Sequence, residues 1–237
     1  MSSNSVRMEL LGPFEFINGA QRPSLPLGAQ RLLAYLALQQ DGAHRSVAAA
    51  DLWPDCTPCR AAANLRSALC HARRAASTDL ITSLGQRLVL SPDVSVDLHE
   101  EWEAARRGAE GSQPLQSDWE HMANAFGKEL LPGWTDEWLM FERARWDQLR
   151  VYALETIAQT FQGAGQYLPA LQAAIKAISV DPVRETAHRI AIEVHLAEGN
   201  VASAIKCYQQ YRTLLQRELR VNPSPQMTQL IRDLSRS

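Results

Sequence analysis

The sequence predicts a mainly α-helical chain in two parts. The first is a winged helix-turn-helix with a small β-sheet and a wing, and the second is an all-α, tetratricopeptide-like domain. Up to about residue 95 the order of segments is hairpin, helix, short helix, long helix, hairpin. Beyond that point the pattern is almost entirely helical and contains a 34-residue repeat. We therefore predict one domain over residues 1–95 and another over residues 96–237.

The start of the chain is predicted to be a hairpin followed by an amphipathic helix. Residues 6–27 are rich in turn signals, and Asn18-Gly19 lies between an apolar run and a second extended run. That arrangement is typical of a β-hairpin. From Gly28 the apolar residues recur at every third or fourth position, which predicts a helix that ends near Asp41-Gly42.

Two further helices are predicted in quick succession. Residues 44–47 are expected to be a connector, and residues 48–53 to form one or two helical turns that Pro54 ends. Pro58 begins the next helix, because a proline in the first turn lacks only an N–H group that would have no helical partner.

This next helix contains the segment CRAAANLRSALCHARRAAS at residues 59–77. One predicted face is apolar and consists of Ala62, Leu65, Leu69, Ala72 and Ala76. The opposite face consists of Arg60, Asn64, Ser67, His71 and Arg74, with Arg66 and Arg73 at its flanks. The side chains on this polar face are of the types that contact phosphates and base edges in DNA.

A second hairpin is predicted directly after that helix. The segment LITSLGQRLVLSPDVSVD alternates around Gly85-Gln86, with Arg87 at a basic tip. In winged helix folds the last helix enters the major groove, and the wing lies on the backbone or in the adjacent minor groove. The order of elements therefore predicts a DNA-binding surface made of this helix and this hairpin.

The charge distribution favours the same surface. The net charge is −2 overall, but it is +2 over residues 1–95 and −4 over residues 96–237. Residues 58–90 contain five arginines and one acidic residue, Asp79. Arginines on an exposed helix face are often only a solvated surface, so the charge alone does not decide the function. The shared face and the following hairpin together favour binding to DNA phosphates.

The second part contains three predicted helical segments and then the repeat. The segments run over residues 97–110, 114–130 and 136–163. Gly165 matches Gly199, and Ala170 matches Ala204, at an offset of 34 residues, which is typical of tetratricopeptide repeats. We expect these four small residues to let paired helices pack closely. Such repeats usually bind proteins or oligomerise.

No catalytic constellation is visible, and we predict that the chain is not an enzyme and needs no cofactor or metal. A glycine-rich phosphate loop, G-x-S-x-G and H-E-x-x-H are all missing from the sequence. Cys56 and Cys59 have C-x-x-C spacing, but further zinc ligands and a preceding strand are missing. His188 and His195 are predicted to be surface or interface residues, and the six tryptophans to be core residues. A metal- or redox-sensing regulator that uses Cys56, Cys59 and Cys70 stays open as an alternative.

The sequence also shows no pattern typical of a signal peptide or of a membrane-spanning helix. The first 12 residues lack the apolar run of a signal peptide, and the uncharged segment 156–175 contains four glutamines and a proline. We therefore expect a cytoplasmic protein with no membrane partner.

Five segments, in this order, resemble the Streptomyces antibiotic regulatory protein family. They are LLGPFEFINGA near the start, DLWPD at 51–55, RAAANLRSALCHARRA at 60–75, RLVLSPDVSVDLHE at 87–100 and LLPGWTDEWLMFERARWDQLR at 130–150. The resemblance implies a short stand-alone activator, with a winged helix of the response-regulator type and a bacterial transcriptional activation domain. It also implies binding to promoter direct repeats as a homodimer on DNA in the nucleoid, recruitment of RNA polymerase holoenzyme, and control of a gene cluster for a secondary metabolite such as an antibiotic.

The resemblance also assigns site residues. The recognition helix would carry Asn64, Arg66, Ser67, His71, Arg73 and Arg74, and the wing would carry Arg87. Phosphates would be held by Arg60, Arg73 and Arg74, while Asn64, Ser67 and His71 would face base edges.

The chain departs from the family pattern at one point of this helix. Where relatives usually have Trp-Arg-Leu-Arg-Arg, this chain has Cys70-His71-Ala72-Arg73-Arg74. The changes at Cys70 and Ala72 remove apolar volume, which costs a few kcal/mol where the lost group was buried. The change at His71 removes a permanent charge and a bidentate guanine reader. An alternative function is therefore a protein-interaction module with a degenerate winged helix and only weak, non-specific DNA binding.

Overall fold

The structure is a computed structural model of the chain, and it describes residues 6–39, 41–76, 79–109 and 116–234. The chain forms two compact units. The N-terminal unit comprises the described residues within 1–104 and 128–146, and the C-terminal unit those within 105–127 and 147–237. The predicted domain division between residues 95 and 96 stays a prediction, since packing divides the chain elsewhere.

Six strands and ten helices make up the described part of the chain. In chain order they are β1 Val6–Glu9, β2 Glu15–Asn18, α1 Leu27–Leu38, β3 Ala43–His44, α2 Arg45–Leu52, α3 Pro58–Arg74, β4 Ile81–Leu84, β5 Arg87–Leu90, β6 Val94–Val96, α4 Asp97–Ala109, α5 Gln116–Ala125, α6 Glu137–Gly163, α7 Tyr167–Val180, α8 Glu185–Ala197, α9 Val201–Glu218 and α10 Pro225–Leu234. The predicted start of the α5 segment at Pro114 lies outside the described residues.

A small sheet with strand order β2-β1-β6 begins the N-terminal unit. β1 pairs antiparallel with β2 and parallel with β6, so that Val6 lies opposite Val94. The turn predicted at Asn18-Gly19 exists, but only Asn18 and Gln21 pair across it, through backbone N···O distances of 2.9 and 3.0 Å. The hairpin proper is β1–β2, which closes before that turn. The pairing of β6 with β1 was not predicted.

Asp97, the first residue of α4, connects the start of this helix to the segment that follows β1. Its buried carboxylate accepts hydrogen bonds from the backbone N–H groups of Leu10 at 2.8 Å, Leu11 at 3.0 Å and Leu98 at 2.7 Å. These N–H groups follow β1 or start a helix, and neither kind has a regular backbone partner. One acidic side chain therefore satisfies the chain at two places where secondary structure cannot.

Three helices, α1, α2 and α3, pack on one another and contribute a large share of the unit's core. α1 buries Leu32, Leu33 and Leu36 on its inner side. α2 begins at Arg45, so the connector predicted over residues 44–47 is wrong. His44 ends a short strand and caps α2 through its ring Nδ1, which accepts from the N–H of Ser46 at 3.4 Å. A histidine cap is uncommon, which is why the sequence pattern placed the helix start too late.

Residues 128–146 complete the N-terminal unit. The N–H of Leu131 donates to the carbonyl of Leu10 at 2.9 Å, and the N–H of Gly12 donates to the carbonyl of Glu129 at 2.8 Å. Arg143 donates to the carbonyls of Leu130, Leu131 and Trp134, at distances between 2.6 and 3.1 Å. A segment far along the chain is therefore held to the loop after β1 by backbone groups.

The C-terminal unit contains the predicted repeat. α7 begins at Tyr167 and α9 at Val201, which reproduces the offset of 34 residues. Ala170 and Ala204 are fully buried, as expected for close packing. The packing role predicted for Gly165 and Gly199 is wrong, because a Cβ added at either would meet no atom within 4 Å. Their φ angles are +72° and +78°, so the backbone of each turn requires glycine.

His188 corrects another expectation in this unit. It is buried and not a surface residue: its Nε2 lies 2.9 Å from the carbonyl oxygen of Pro182, and its ring stacks on Tyr211 with 4.3 Å between ring centroids. Burial lowers its pKa below the ordinary value, against the opposing influence of the Pro182 carbonyl and of Asp181. His195 is half-buried.

Candidate nucleic-acid interface

α3 is an amphipathic helix whose two sides have different tasks. Thr57 precedes it and Pro58 occupies its first turn, as predicted. Its buried side chains are Ala61, Leu65, Ala68, Leu69 and Ala72. Small residues make up most of that face, which lets α1 and α2 approach α3 closely. The predicted face is confirmed at Leu65, Leu69 and Ala72, whereas Ala62 is half-buried and Ala76 lies beyond the end of the helix.

The exposed side of α3, which we call the outer face, carries most of the predicted DNA-binding residues. Its exposed members are Cys59, Arg60, Ala63, Arg66, Ser67, Cys70, His71, Arg73 and Arg74. The last turn holds three basic side chains, which also interact favourably with the negative end of the helix dipole. That interaction explains a basic last turn, but it does not explain Arg60 and Arg66 nearer the start.

Asn64 is the exception among the predicted site residues of α3. It is half-buried, and its Nδ2 lies 3.8 Å from the Sγ of Cys56, which is the distance of a weak N–H···S hydrogen bond. Its predicted place at a base edge therefore requires the side chain to turn away from Cys56.

The wing has three strands, in the order β3-β5-β4, and not the two that were predicted. Its turn at Gly85-Gln86 is confirmed, with a φ of +61° at Gly85. Gly42 precedes β3 with a φ of +70°, and a Cβ there would lie 2.4 Å from the carbonyl oxygen of Leu88. Glycine is therefore obligatory where the third strand joins. Arg87 is exposed and donates to the carbonyl of Gly42 at 3.2 Å.

Two arginines from different helices meet at the wing, and the sequence did not reveal this. Arg45 Nη2 donates to the Oγ of Ser83 at 3.0 Å, and Arg73 Nη2 donates to the same oxygen at 3.3 Å. The N–H of Arg45 also donates to the carbonyl of Gln86 at 2.8 Å, which joins α2 to the wing turn. Arg45 and Ser83 were missed because a lone arginine in a presumed connector and a serine in a strand have no signal in a linear pattern.

The arginines of the N-terminal unit fall into two classes. Five form ion pairs with carboxylates, namely Arg7, Arg22, Arg31, Arg143 and Arg145. Six form none with any described residue, namely Arg45, Arg60, Arg66, Arg73, Arg74 and Arg87. All six lie on the first turn of α2, on α3 or on the wing. Their positive charge is not neutralised by any described part of the protein.

The three residues of α3 that depart from the family pattern differ in how deeply they are buried. Cys70 is exposed, so the smaller side chain there leaves no cavity, and the predicted loss of buried volume at this position is wrong. Ala72 is fully buried, and neighbouring side chains close around it. The change at His71 lies on the outer face and removes charge there.

The described residues also bear on metal binding and on insertion into a membrane. Within them, no group of three or more His, Cys, Asp or Glu side chains is placed to hold a metal ion. Cys56, Cys59, Cys70 and Cys207 are free thiols. In the same part of the chain, no helix has the length and apolar character needed to cross a bilayer.

Comparison with known proteins assigns the family. A family model described as Bacterial transcriptional activator domain matches residues 96–235, which is more than half of the chain. The chain belongs to this family. The resemblance to the Streptomyces antibiotic regulatory proteins, whose members combine a winged helix with this activator domain, is confirmed.

Two relatives extend the comparison over the N-terminal unit. Regulatory protein AfsR of Streptomyces griseus is 24% identical over 248 residues, which cover 97% of this chain and 24% of AfsR. The structure of Mycobacterium tuberculosis EmbR in complex with a low affinity phosphopeptide superposes with a TM-score of 0.77 and 18% identity, over 99% of this chain and 66% of that one. This likeness confirms the predicted fold class, a winged helix-turn-helix followed by an all-α tetratricopeptide-like domain. The chain spans about a quarter of AfsR and two-thirds of EmbR.

Proposed function

We propose that the chain is a sequence-specific activator of transcription that binds double-stranded DNA through α3 and the wing. The observation that carries this proposal is a set of six arginines, all on α2, α3 or the wing, that have no acidic partner among the described residues. Protein surfaces that meet DNA need such free positive charge, because phosphate contacts supply most of the non-specific affinity.

The residues take different roles in this proposal. Arg60, Arg73 and Arg74 hold phosphates, and Arg87 brings the wing to the backbone. Ser67, His71 and, after its side chain turns, Asn64 face base edges in the major groove, while Arg66 extends the exposed basic surface of α3. Phosphate contacts fix the orientation, and base contacts select the sequence.

The wider function follows from the family. We propose that the chain binds promoter direct repeats as a homodimer, recruits RNA polymerase holoenzyme through its activator domain, and switches on a gene cluster for a secondary metabolite. The family model of the activator domain matches residues 96–235, and the proposal assigns the contacts with polymerase to this part of the chain.

Selection of bound fragments from a genomic library by purified protein tests the proposal. We expect enrichment of a spaced direct repeat, and loss of that enrichment in Arg73→Ala/Arg74→Ala. The matched control is Arg212→Ala/Arg217→Ala, which removes the same charge from two exposed positions on α9. Absence of any enriched motif at moderate salt, or equal losses in both double variants, would overturn sequence-specific binding.

A second candidate function is a protein-interaction module in which the C-terminal unit does the work. Leu168 and Ile175 are 66% and 54% exposed and lie two turns apart on α7. Two exposed apolar side chains on one side of a helix can form part of a surface that binds another protein. Under this function, Leu168→Ser/Ile175→Ser would abolish partner capture, while DNA binding would be weak and indifferent to sequence.

A further inference from the structure

The two arginines that meet at Ser83, Arg45 and Arg73, have no negatively charged partner among the described residues. Two guanidinium groups share one neutral hydroxyl oxygen, at 3.0 and 3.3 Å. Neither forms an ion pair with a described carboxylate. Like charges held close together repel each other, and a hydroxyl cannot neutralise them. The arrangement is complete only when an anion joins it.

From this geometry we infer that Arg45, Arg73 and Ser83, together called the arginine notch, hold one phosphate group of the DNA backbone. This inference rests on the proposed function and adds two residues to it, Arg45 and Ser83. A phosphodiester oxygen accepts hydrogen bonds from guanidinium groups and from a serine hydroxyl, so all three side chains present suitable donors.

The position of the arginine notch explains why a backbone phosphate is the expected anion. Arg73 belongs to α3, Ser83 to β4 of the wing and Arg45 to the first turn of α2. The notch therefore lies where the helix that reads the groove meets the wing that follows the backbone. A phosphate held there fixes the register of both elements on the duplex without reading sequence.

Ser83 has a specific task in the free protein. Its Oγ holds the two guanidinium groups at one point, so less side-chain freedom is lost when the phosphate arrives. Thr82 is the natural comparison, because adjacent residues of a strand point to opposite faces. It is also exposed, but no side-chain hydrogen bond from the arginines reaches it.

The test measures DNA affinity of the full chain at several salt concentrations. In Arg45→Ala, the slope of log K against log salt is expected to become shallower by about one, as for loss of one phosphate contact, and equally for every sequence. The control Arg22→Ala removes an exposed arginine that pairs with Glu15 and should leave the slope unchanged. If Arg45→Ala binds DNA as tightly as the wild type and with the same salt slope, the arginine notch is overturned.

A carboxylate placed inside the arginine notch gives a second test. Ser83→Asp supplies both arginines with an internal partner, so we expect an unchanged or raised Tm together with at least a tenfold loss of DNA affinity. Thr82→Asp adds the same charge to the other face of β4 and should lose much less. Equal losses in the two variants would show a general charge effect and would overturn the inference.

The two remaining outcomes separate this inference from the proposed function. No DNA binding by the wild type would overturn the proposed function and the inference together, whereas a normal slope in Arg45→Ala overturns the inference alone.

A free anion is distinguished by adding inorganic phosphate at constant ionic strength without DNA. We expect no larger rise in Tm for the wild type than for Arg45→Ala, and a rise confined to the wild type would assign the notch to free phosphate instead.

Discussion

Arg184 grips the carboxylate of Glu155 with two parallel hydrogen bonds, from Nε at 2.7 Å and from Nη2 at 2.9 Å. The Glu155 side chain is 6% exposed and that of Arg184 23% exposed, so the two partners are not equally able to reach water. The guanidinium also lies over the ring of Tyr152, at 4.2 Å from its centroid. This pair joins α6 to the residue that precedes α8.

The unequal burial of this pair predicts unequal costs of mutation. Arg184→Ala leaves a buried carboxylate without its partner and should lower the free energy of unfolding by about 3 kcal/mol. Glu155→Gln leaves a guanidinium that water can reach and should cost about 1 kcal/mol. Urea unfolding of both variants measures the difference. A larger cost for Glu155→Gln would show that the arginine, and not the carboxylate, depends on the pair.

Acidification should weaken the C-terminal unit through His188. Its pKa is lowered in the folded state, so between that value and the ordinary value of 6.5 the unfolded chain binds more protons. The stability that the neutral His188 ring contributes to the folded state is therefore complete above about pH 6.5. It is lost as the pH falls toward the folded-state pKa. Urea unfolding at pH 7.5 and 5.5 should show a loss in the wild type and a smaller loss in His188→Gln. Equal losses in the two proteins would show that a group other than His188 is responsible for the pH dependence.

The repeat glycines offer a test of backbone conformation without any change in packing. Gly199→Ala should cost about 1 kcal/mol or more, because its φ of +78° is strained for any residue with a Cβ. Gly163→Ala, at the end of α6, should be neutral or stabilising by up to about 1 kcal/mol, because alanine favours a helix. A Cβ has open space at both positions. Equal Tm values in the two variants would contradict this assignment.

Restoring the missing charge on the outer face should strengthen DNA binding. His71→Arg places a permanent cation at an exposed position of α3 and should raise the affinity about fivefold, or about 1 kcal/mol, at moderate salt. The salt slope should become steeper by about one. Filter binding or fluorescence anisotropy over a salt series measures both quantities. His121→Arg, which adds the same charge on α5, is the control, and an equal gain there would indicate only bulk attraction.

Local patterns predicted the elements whose signals lie within a few residues. The start of α3 at Pro58 and the wing turn at Gly85-Gln86 are of this kind, because proline fixes the backbone and glycine allows the positive φ of a tight turn. The start of α2 was missed because His44 is an unusual cap. The role of Gly165 was misjudged because a glycine in the sequence can indicate either close packing or a positive φ, and the letter alone does not distinguish the two.

Contacts between distant segments could not be predicted. The pairing of β1 with β6 depends on where the intervening helices turn, and a strand sequence does not name its partner. The same holds at the candidate interface. The outer face of α3 follows from helical periodicity, whereas the meeting of Arg45 with Ser83 spans 38 residues and depends on the position of the wing. Periodicity reports which side of an element is exposed, and not what lies beside it.

The equivalence of Gly165 and Gly199 has a consequence for how such a chain can change in length. Both glycines make the same left-handed turn, and each is followed two residues later by the first residue of a helix. A stretch of DNA that encodes the 34 residues from one glycine to the next therefore begins and ends at interchangeable joints. Its tandem duplication would insert a complete helical hairpin and leave the backbone geometry at either joint unaltered. This half of the chain can therefore become longer by duplication, whereas the same event would disrupt most other folds.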